Sequence, residues 1–564
     1  MKFQYLLYSA AFLALSTGCN DAFLDREPQS LYEQTYWKAV SDLETYANSF
    51  YTTLPGGVSS LDDTNSDTQV PNSIHAYIWG ETVVPTEGGS WSKENWSNLR
   101  NLNYFMTHYQ QVQGDPAEIN KYVAEIRFFR AKEYFAKIQQ FGDVPWLEED
   151  LNAESELLYG PKMKRNLVFQ KIVEDLDFAI EHLPAKGNEA PNRLNKDIAR
   201  HLKARFCLNE GTHYKYHTEL GYTAEANKWL KMAADETDKL IESGKYEIYS
   251  TGKPKSDYYE MFRMENKSEL KEAILYIDYA QNLRQHNMGS QNRESQCGFS
   301  KDFVESFLCT DGKPIHYDGK PNPQYKGDKT MKDECANRDP RFKQLIVTED
   351  YPIVVSSDHK DSTYVADEAS FVTQFCFSGY RPVKGDIPVK DESLYMMSFF
   401  DGIAYRYAET LLINAEAKAE LGTITDADLD KTVNKLRVRV GMPKLKKEVG
   451  FKDDNWPQWG YQLSPVLQEI RRERRIELAG EGFRYDDLVR WKAGNLLNNV
   501  RTYLGKWNPK ESHYEIVYPN YTTYSAPSTY TGTRKWNDKL YLLPIPTGEL
   551  QRNPQLLPQN PGWE

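Results

Sequence analysis

At 564 residues and 65.4 kDa the chain has room for several ordinary domains or one large body with insertions, so core size sets no limit on its fold. Its 40% hydrophobic and 27% charged residues exclude wholesale disorder, and a net charge of -12 counts against nucleic acid, whose phosphates demand a clustered basic footprint. The unusual feature is aromatic: 38 Tyr, 24 Phe and 12 Trp in a chain of mean hydropathy -0.70 place many rings at surfaces or wet interfaces.

The N-terminus reads as an export signal. Lys2 precedes an apolar run from Leu6 to Leu15, and Ser16, Thr17 and Gly18 then lead directly into Cys19. The run is too short to span a bilayer, and no later stretch approaches the ~20 apolar residues of a membrane helix. A Cys in that place resembles the bacterial lipobox, so residues 1–18 are read as a lipoprotein signal peptide and Cys19 as the lipidation site. The five remaining cysteines have no CxxC spacing, which leaves one bridge at most to suspect, between residues 297 and 376.

Residues 19–250 read as a helical-repeat half, built of amphipathic helices joined by short turns. Ser41 and Glu44 have capping-box spacing, and Leu43, Tyr46, Ala47 and Phe50 then share a face. Trp96, Leu99, Leu102, Met106 and Tyr109 form a second stripe. Asp115 and Pro116 open a third helix, with Ile119, Tyr122, Val123, Ile126 and Phe129 inward and Gly142 and Pro145 at its close. Phe169 to Leu183 marks a fourth, stopped by Pro184, and further helices are expected over 196–212 and 223–243. Residues 251–400 change character. Gly, Pro, Asn, Asp and Tyr dominate, with strand-like runs at Ala273–Ile277 and Phe371–Phe377, so the stretch reads as a loop-rich functional insertion without helices and as the ligand face. Helices return over 401–564, before an ending rich in Pro and Asn.

Between residues 469 and 490, six arginines meet six acids, and pairs such as Glu469 with Arg472, Arg474 with Glu477 and Asp486 with Arg490 have helical spacing. A solvated, self-paired helix face is expected there. The same segment, Ile470 to Trp491, carries Glu-Arg, Glu-Leu, Glu-Gly-x-Arg and Asp-Leu-x-Arg-Trp elements. Two further stretches accompany it: the ending Tyr541-Leu-Leu-Pro-Ile-Pro546 with Gln559-Asn-Pro-Gly-Trp563, and Arg127 to Phe135 running into Phe141-Gly-Asp-Val-Pro145. Together they resemble the SusD/RagB family, the lipoprotein half of paired outer-membrane uptake systems in Bacteroidetes. The resemblance implies a mostly α, SusD-like fold of four tetratricopeptide-like helix pairs with a long loop-rich insertion containing short strands. It also implies a lipid-anchored place on the outer membrane facing the cell exterior, capture of a glycan, and delivery to a SusC-like TonB-dependent transporter. A RagB-like peptide-binding role is the alternative, and a glycoside hydrolase a third reading. The motifs themselves read as scaffold, with Arg484, Asp487 and Trp491 suited to ion pairing and packing.

No catalytic constellation stands out, and no metal or cofactor is assigned. His213 and His217 are spaced as in a zinc protease, but Tyr214 takes the place of the general base, so a satisfied surface pair is expected. Asp63, Asn65 and Asp67 imitate the start of a calcium loop without the Gly and Glu it needs. The ligand-binding candidates are aromatic and polar. Val83–Trp91 resembles a loop of the starch-binding branch in which a Trp stacks on sugar; here Trp91 takes that place, with Glu87 and Ser90 standing where that loop has Arg and Asp, and Gly88 and Gly89 turn the backbone to present it, the alternative being that Trp91 packs beneath the helix that follows. Tyr77 and Trp79 either extend the platform or belong to the core, whereas Trp96 reads as core. From the insertion, Gln281, Asn282, Arg284 and His286 offer polar groups suited to sugar hydroxyls.

Overall fold

A computed structural model of the chain describes residues 36–564 apart from 72–77, 79–81, 153, 295–296, 350, 356–361, 366–375, 377, 390, 509–511 and 517–533. Cys19, Tyr77, Trp79 and nearly all of the run expected at Phe371–Phe377 lie outside the described residues. The body is carried by α1 (Val40–Asn48), α2 (Lys93–His108), α3 (Pro116–Phe141), α4 (Arg165–His182), α5 (Lys196–Tyr216), α6 (Thr223–Glu242), α7 (Tyr407–Glu420), α8 (Pro465–Glu477) and α9 (Arg484–Arg490).

Local chemistry sets the ends of these helices. Asp115 caps α3 by accepting from the Ala117 amide at 3.1 Å, Pro116 occupies the first turn, where no N–H is needed, and Gly142 closes the helix at φ 72°. At α1 the cap differs from the expected Ser41–Glu44 pair. Ala39 is the N-cap, and Asp42 accepts from the amides of Lys38 and Ala39 at 3.0 and 2.8 Å. Helices consecutive in the chain are neighbours in space from α2 to α6, α1 packs on α3 and touches α2 through its aromatic side chains, and α7 packs on α6 and α8, so that α3/α4, α5/α6 and α7/α8 stack as pairs about one core. Tyr46 of α1 meets Tyr104 and Phe105 of α2, Phe135 of α3 stacks on Phe206 of α5 at 3.7 Å, and Phe169 of α4 meets Trp229 of α6 edge-on at 4.8 Å. Each such side chain taken from water stabilises the stack by ~1.5–3 kcal/mol.

The insertion holds short helices, contrary to its sequence reading. Asp257–Phe262, Lys301–Ser306, Met331–Cys335 and Arg341–Leu345 bury Tyr258, Phe303, Phe307 and Phe342 in a second cluster together with Ile476 and Ala479. Helices of five or six residues end before a 3.6-residue pattern can repeat, so periodicity does not reveal them. Strand β1 (Gln69–Pro71) pairs antiparallel with β3 (Cys297–Phe299), and β2 (Ala273–Ile277) with β4 (Gly402–Arg406), which stitches the insertion to the sequence on either side. The cysteines at 207, 297, 309, 335 and 376 are buried thiols, so no disulfide joins 297 to 376.

The arginine-rich segment is buried rather than solvated. Arg471 pairs with Glu420 at 2.8 Å, Arg490 with Glu416 at 2.6 Å and Arg484 with Asp67 at 2.7 Å, all partners remote in sequence. Of the local pairs anticipated, Glu469 with Arg472 forms at 3.1 Å, whereas Arg474 and Arg490 both take Asp487. Glu477 accepts from Arg341, Arg406 and Arg439 at 3.1, 2.7 and 2.6 Å. Burial opposes its charge most, yet the three guanidiniums together hold its pKa well below the ordinary carboxylate range. The Trp491 indole donates to Glu416 at 2.7 Å, in line with the scaffold role expected of this motif.

Candidate functional site

The loop that follows Val83 is stapled to the C-terminal segment. Thr547 donates its amide to the Pro85 carbonyl at 3.0 Å, Gly548 to that of Thr86 at 2.8 Å, and exposed Glu87 pairs with Arg552. Gly88 and Gly89 adopt φ of 82° and 63°, but the turn they make drives Trp91 inward. The indole is 9% exposed and lies edge-on to Phe141 at 4.7 Å and Trp96 at 5.2 Å. Trp91 therefore packs largely in the core beneath α2, and what remains exposed borders, with Trp96, a cavity of about 500 Å³ lined also by Leu99, Asn103, Leu147 and Arg552. The turn is followed directly by Ser92, the N-cap of α2, which leaves no length of loop to carry a large apolar ring outward. Trp96, expected in the core, is half-buried instead, with the Lys137 ammonium 5.3 Å above its ring.

The second set of candidates divides. Gln281, Asn282 and Arg284 are exposed on a tight turn closed by two bonds between Ala280 and Arg284, with Asn282 at φ 63° and the Arg284 guanidinium 4.7 Å from the Tyr279 ring. His286 is withdrawn from any ligand. Its Nε2 faces the Phe400 carbonyl at 3.1 Å, its Nδ1 accepts from the Met288 amide at 3.2 Å, and its ring meets Phe400 edge-on at 4.4 Å. Burial lowers its pKa to about 4, which keeps it neutral.

Between these two segments runs a cleft, formed of adjoining cavities of about 630 and 460 Å³ that share Asp62 and Asp486. Ser90, from the Val83–Trp91 loop, stands at one end, and Phe400, on which His286 packs, borders the other. The first cavity is walled by Gln139 and Gln140 from the last turn of α3, by Asn209 and His213 one turn apart on α5, by Tyr485 of α9 and by Asn65. The Gln140 Oε1 and the His213 Nδ1 are buried there with no partner in the protein. Burial lowers the pKa of His213 well below its ordinary value, so the ring is neutral. His213 and His217 are thus a buried stacked pair 4.0 Å apart, not a surface pair. Among the described residues no group of three His, Cys, Asp or Glu side chains could hold a metal. Burial, then neighbouring Asp487, raises the pKa of Asp486 to about 6, and burial also raises that of Asp62.

The scaffold motif fixes the floor of the cleft. Asp63 accepts from the amides of Gly480 and Arg484 at 2.7 and 3.2 Å, and Asp67 grips the Arg484 guanidinium with both oxygens, so these acids are buried anchors of the 55–67 loop. Two glycines permit this closeness. At Gly480, with φ 79°, an added Cβ would sit 2.3 Å from the Ser60 carbonyl oxygen; at Gly57, with φ 70°, it would sit 2.4 Å from the Ile403 backbone. The lining amides and acids come from helices distant in sequence, and no motif marks Gln139, Gln140 or Asn209.

A model of the SusD family matches residues 271–563. Over 99% of its length the chain is 23% identical to a SusD-like protein of Formosa agariphila, P2, covering all of that protein, and it is 22% identical to a SusD-like protein of Bacteroides ovatus over 57% of this chain and 64% of the relative. Among solved structures, a SusD-like protein of Bacteroides fragilis superposes with a TM-score of 0.69 at 22% identity, covering 94% of this chain and 98% of the other. A second from the same species, described as a SusD-like carbohydrate-binding protein, gives 0.67 at 21% identity over 93% and 100% of the two chains.

Proposed function

Because the chain belongs to the SusD family, we propose that it is a cell-surface lipoprotein that captures an oligosaccharide or polysaccharide and passes it to a SusC-like TonB-dependent transporter. The observation that carries this reading is the cleft at Asp62 and Asp486: carboxylates, side-chain amides and a phenol face one another across a space wide enough for sugar rings. The carboxylates and side-chain amides on its walls are the donors and acceptors that carbohydrate hydroxyls use. The exposed turn of Gln281, Asn282 and Arg284 extends the contact surface beyond the Phe400 end. The bound sugar leaves unchanged, since capture requires recognition and release rather than bond cleavage. Transport falls to the SusC-like partner; no helix among the described residues is long and apolar enough to cross a membrane.

The test is a screen of the purified chain against polysaccharides and peptide pools by calorimetry, with product analysis of any sugar bound. A glycan should bind, Asp62→Asn with Gln139→Ala should weaken it by about tenfold or more, and no product should form. Binding confined to peptides, or sustained turnover abolished by one carboxylate substitution, would overturn the proposal.

A further inference from the structure

Across the wall formed by the Asp67–Arg484 pair lies another cavity, of about 430 Å³. Arg484 borders it, while the next residues of α9, Tyr485 and Asp486, face the cleft, so the two spaces lie on opposite sides of one helix. Its roof is the segment before α8. The Trp456 indole donates to Glu469 at 2.9 Å, the Trp459 indole to Gln468 at 2.6 Å, and the Asn495 amide to the Gln458 carbonyl at 3.0 Å. These three bonds tie the roof to α8 and to the turn at Gly494–Asn498, so half-buried Trp456 borders the cavity in a fixed pose.

The arginines beneath it are already matched. Arg471 pairs with Glu420 at 2.8 Å, Arg475 with Asp302 at 2.8 Å and Arg484 with Asp67 at 2.7 Å, while Arg472 takes Asp453 and Arg501 takes Glu305. An anionic ligand would meet no unmatched guanidinium there, and each of these carboxylates would repel it. Hydrogen-bonding capacity is what remains: the side-chain amides of Asn455, Gln458 and Asn499 line the cavity. A fixed indole beside neutral amides is the chemistry that holds the apolar face and the hydroxyls of an uncharged sugar.

We propose that this cavity is a second saccharide subsite, which takes one neutral sugar unit against Trp456. The proposal rests on the glycan-binding reading above, and the two can fail separately. The full chain would be labelled with fluorotryptophan, the Trp456 fluorine resonance assigned with Trp456→Phe, and glucose, galactose, mannose, xylose and glucuronate titrated in turn. At least one neutral sugar should shift that resonance saturably, and the shift should persist in the Asp62→Asn, Gln139→Ala protein. Asn455→Ala with Gln458→Ala should weaken it by about tenfold or more. If polysaccharides bind through the cleft and no sugar moves the Trp456 signal, the second subsite is refuted and glycan capture stands. If no saccharide binds in any assay, both fall. A stronger response to glucuronate than to every neutral sugar would overturn the assignment of an uncharged ligand.

Discussion

Replacing Trp91 with Ala separates a core role from a ligand role at the residue most conspicuous in the sequence. The side chain is 9% exposed and meets Phe141 and Trp96 edge-on at 4.7 and 5.2 Å. A buried Trp withdraws ~150–250 Å² from water, which at ~25 cal/mol/Å² bounds the transfer contribution near ~4–6 kcal/mol. Measured Trp-to-Ala costs in cores run at about 3–5 kcal/mol, so a loss of ~4 kcal/mol is expected. In a chain this large that should lower the melting temperature by about 3–4 °C, with Trp91→Phe falling in between. Differential scanning calorimetry gives the melting shift, and titration calorimetry well below the transition gives affinity for whichever glycan the screen selects. Affinity should stay within about fivefold of the parent, under ~1 kcal/mol. An unchanged melting temperature with binding abolished would refute the argument from burial and return Trp91 to the ligand face.

Glu477→Gln leaves Arg341, Arg406 and Arg439 without their common carboxylate, and denaturant titration should show a loss of ~3–5 kcal/mol; parent-like stability would mean the network relaxes to other partners. His286 is held neutral with a pKa of about 4, so the unfolded chain binds more protons between pH 6.5 and 4 and stability is lost as pH falls through that window. His286 alone should contribute at most about 2 kcal/mol between about pH 7 and pH 5, and His286→Asn should flatten the slope; an unaltered slope refutes it. Cys19→Ala should release soluble protein from the cell, and a variant that still fractionates with membranes would remove the lipid anchor from the proposal. A tagged chain recovered from mild detergent should bring a large barrel protein with it, and recovery alone, where other membrane complexes survive, counts against the transporter partnership.

How much was legible in advance depended on how far each interaction reaches along the chain. Helix positions follow from contacts within one or two turns, and these the sequence determined: the Asp115–Pro116 start of α3, its Gly142 stop and the apolar stripes of α4 to α6 stand where periodicity placed them. Long motifs likewise sufficed for the family, because they encode a whole scaffold at once. Tertiary structure alone decided the partners of the arginines. A guanidinium at helical spacing from several acids pairs with whichever carboxylate shares its buried pocket, and for Arg471, Arg484 and Arg490 that was Glu420, Asp67 and Glu416, brought in from other segments. It also decided the fate of Trp91, since a glycine pair fixes that the chain turns but not which way, and the space beside Phe141 drew the ring inward. The cleft belongs to the same class. Asp62, Gln139, Asn209 and Asp486 come from four elements, and each is an unremarkable polar residue until packing α3, α5, α9 and the 55–67 loop together sets them around one space.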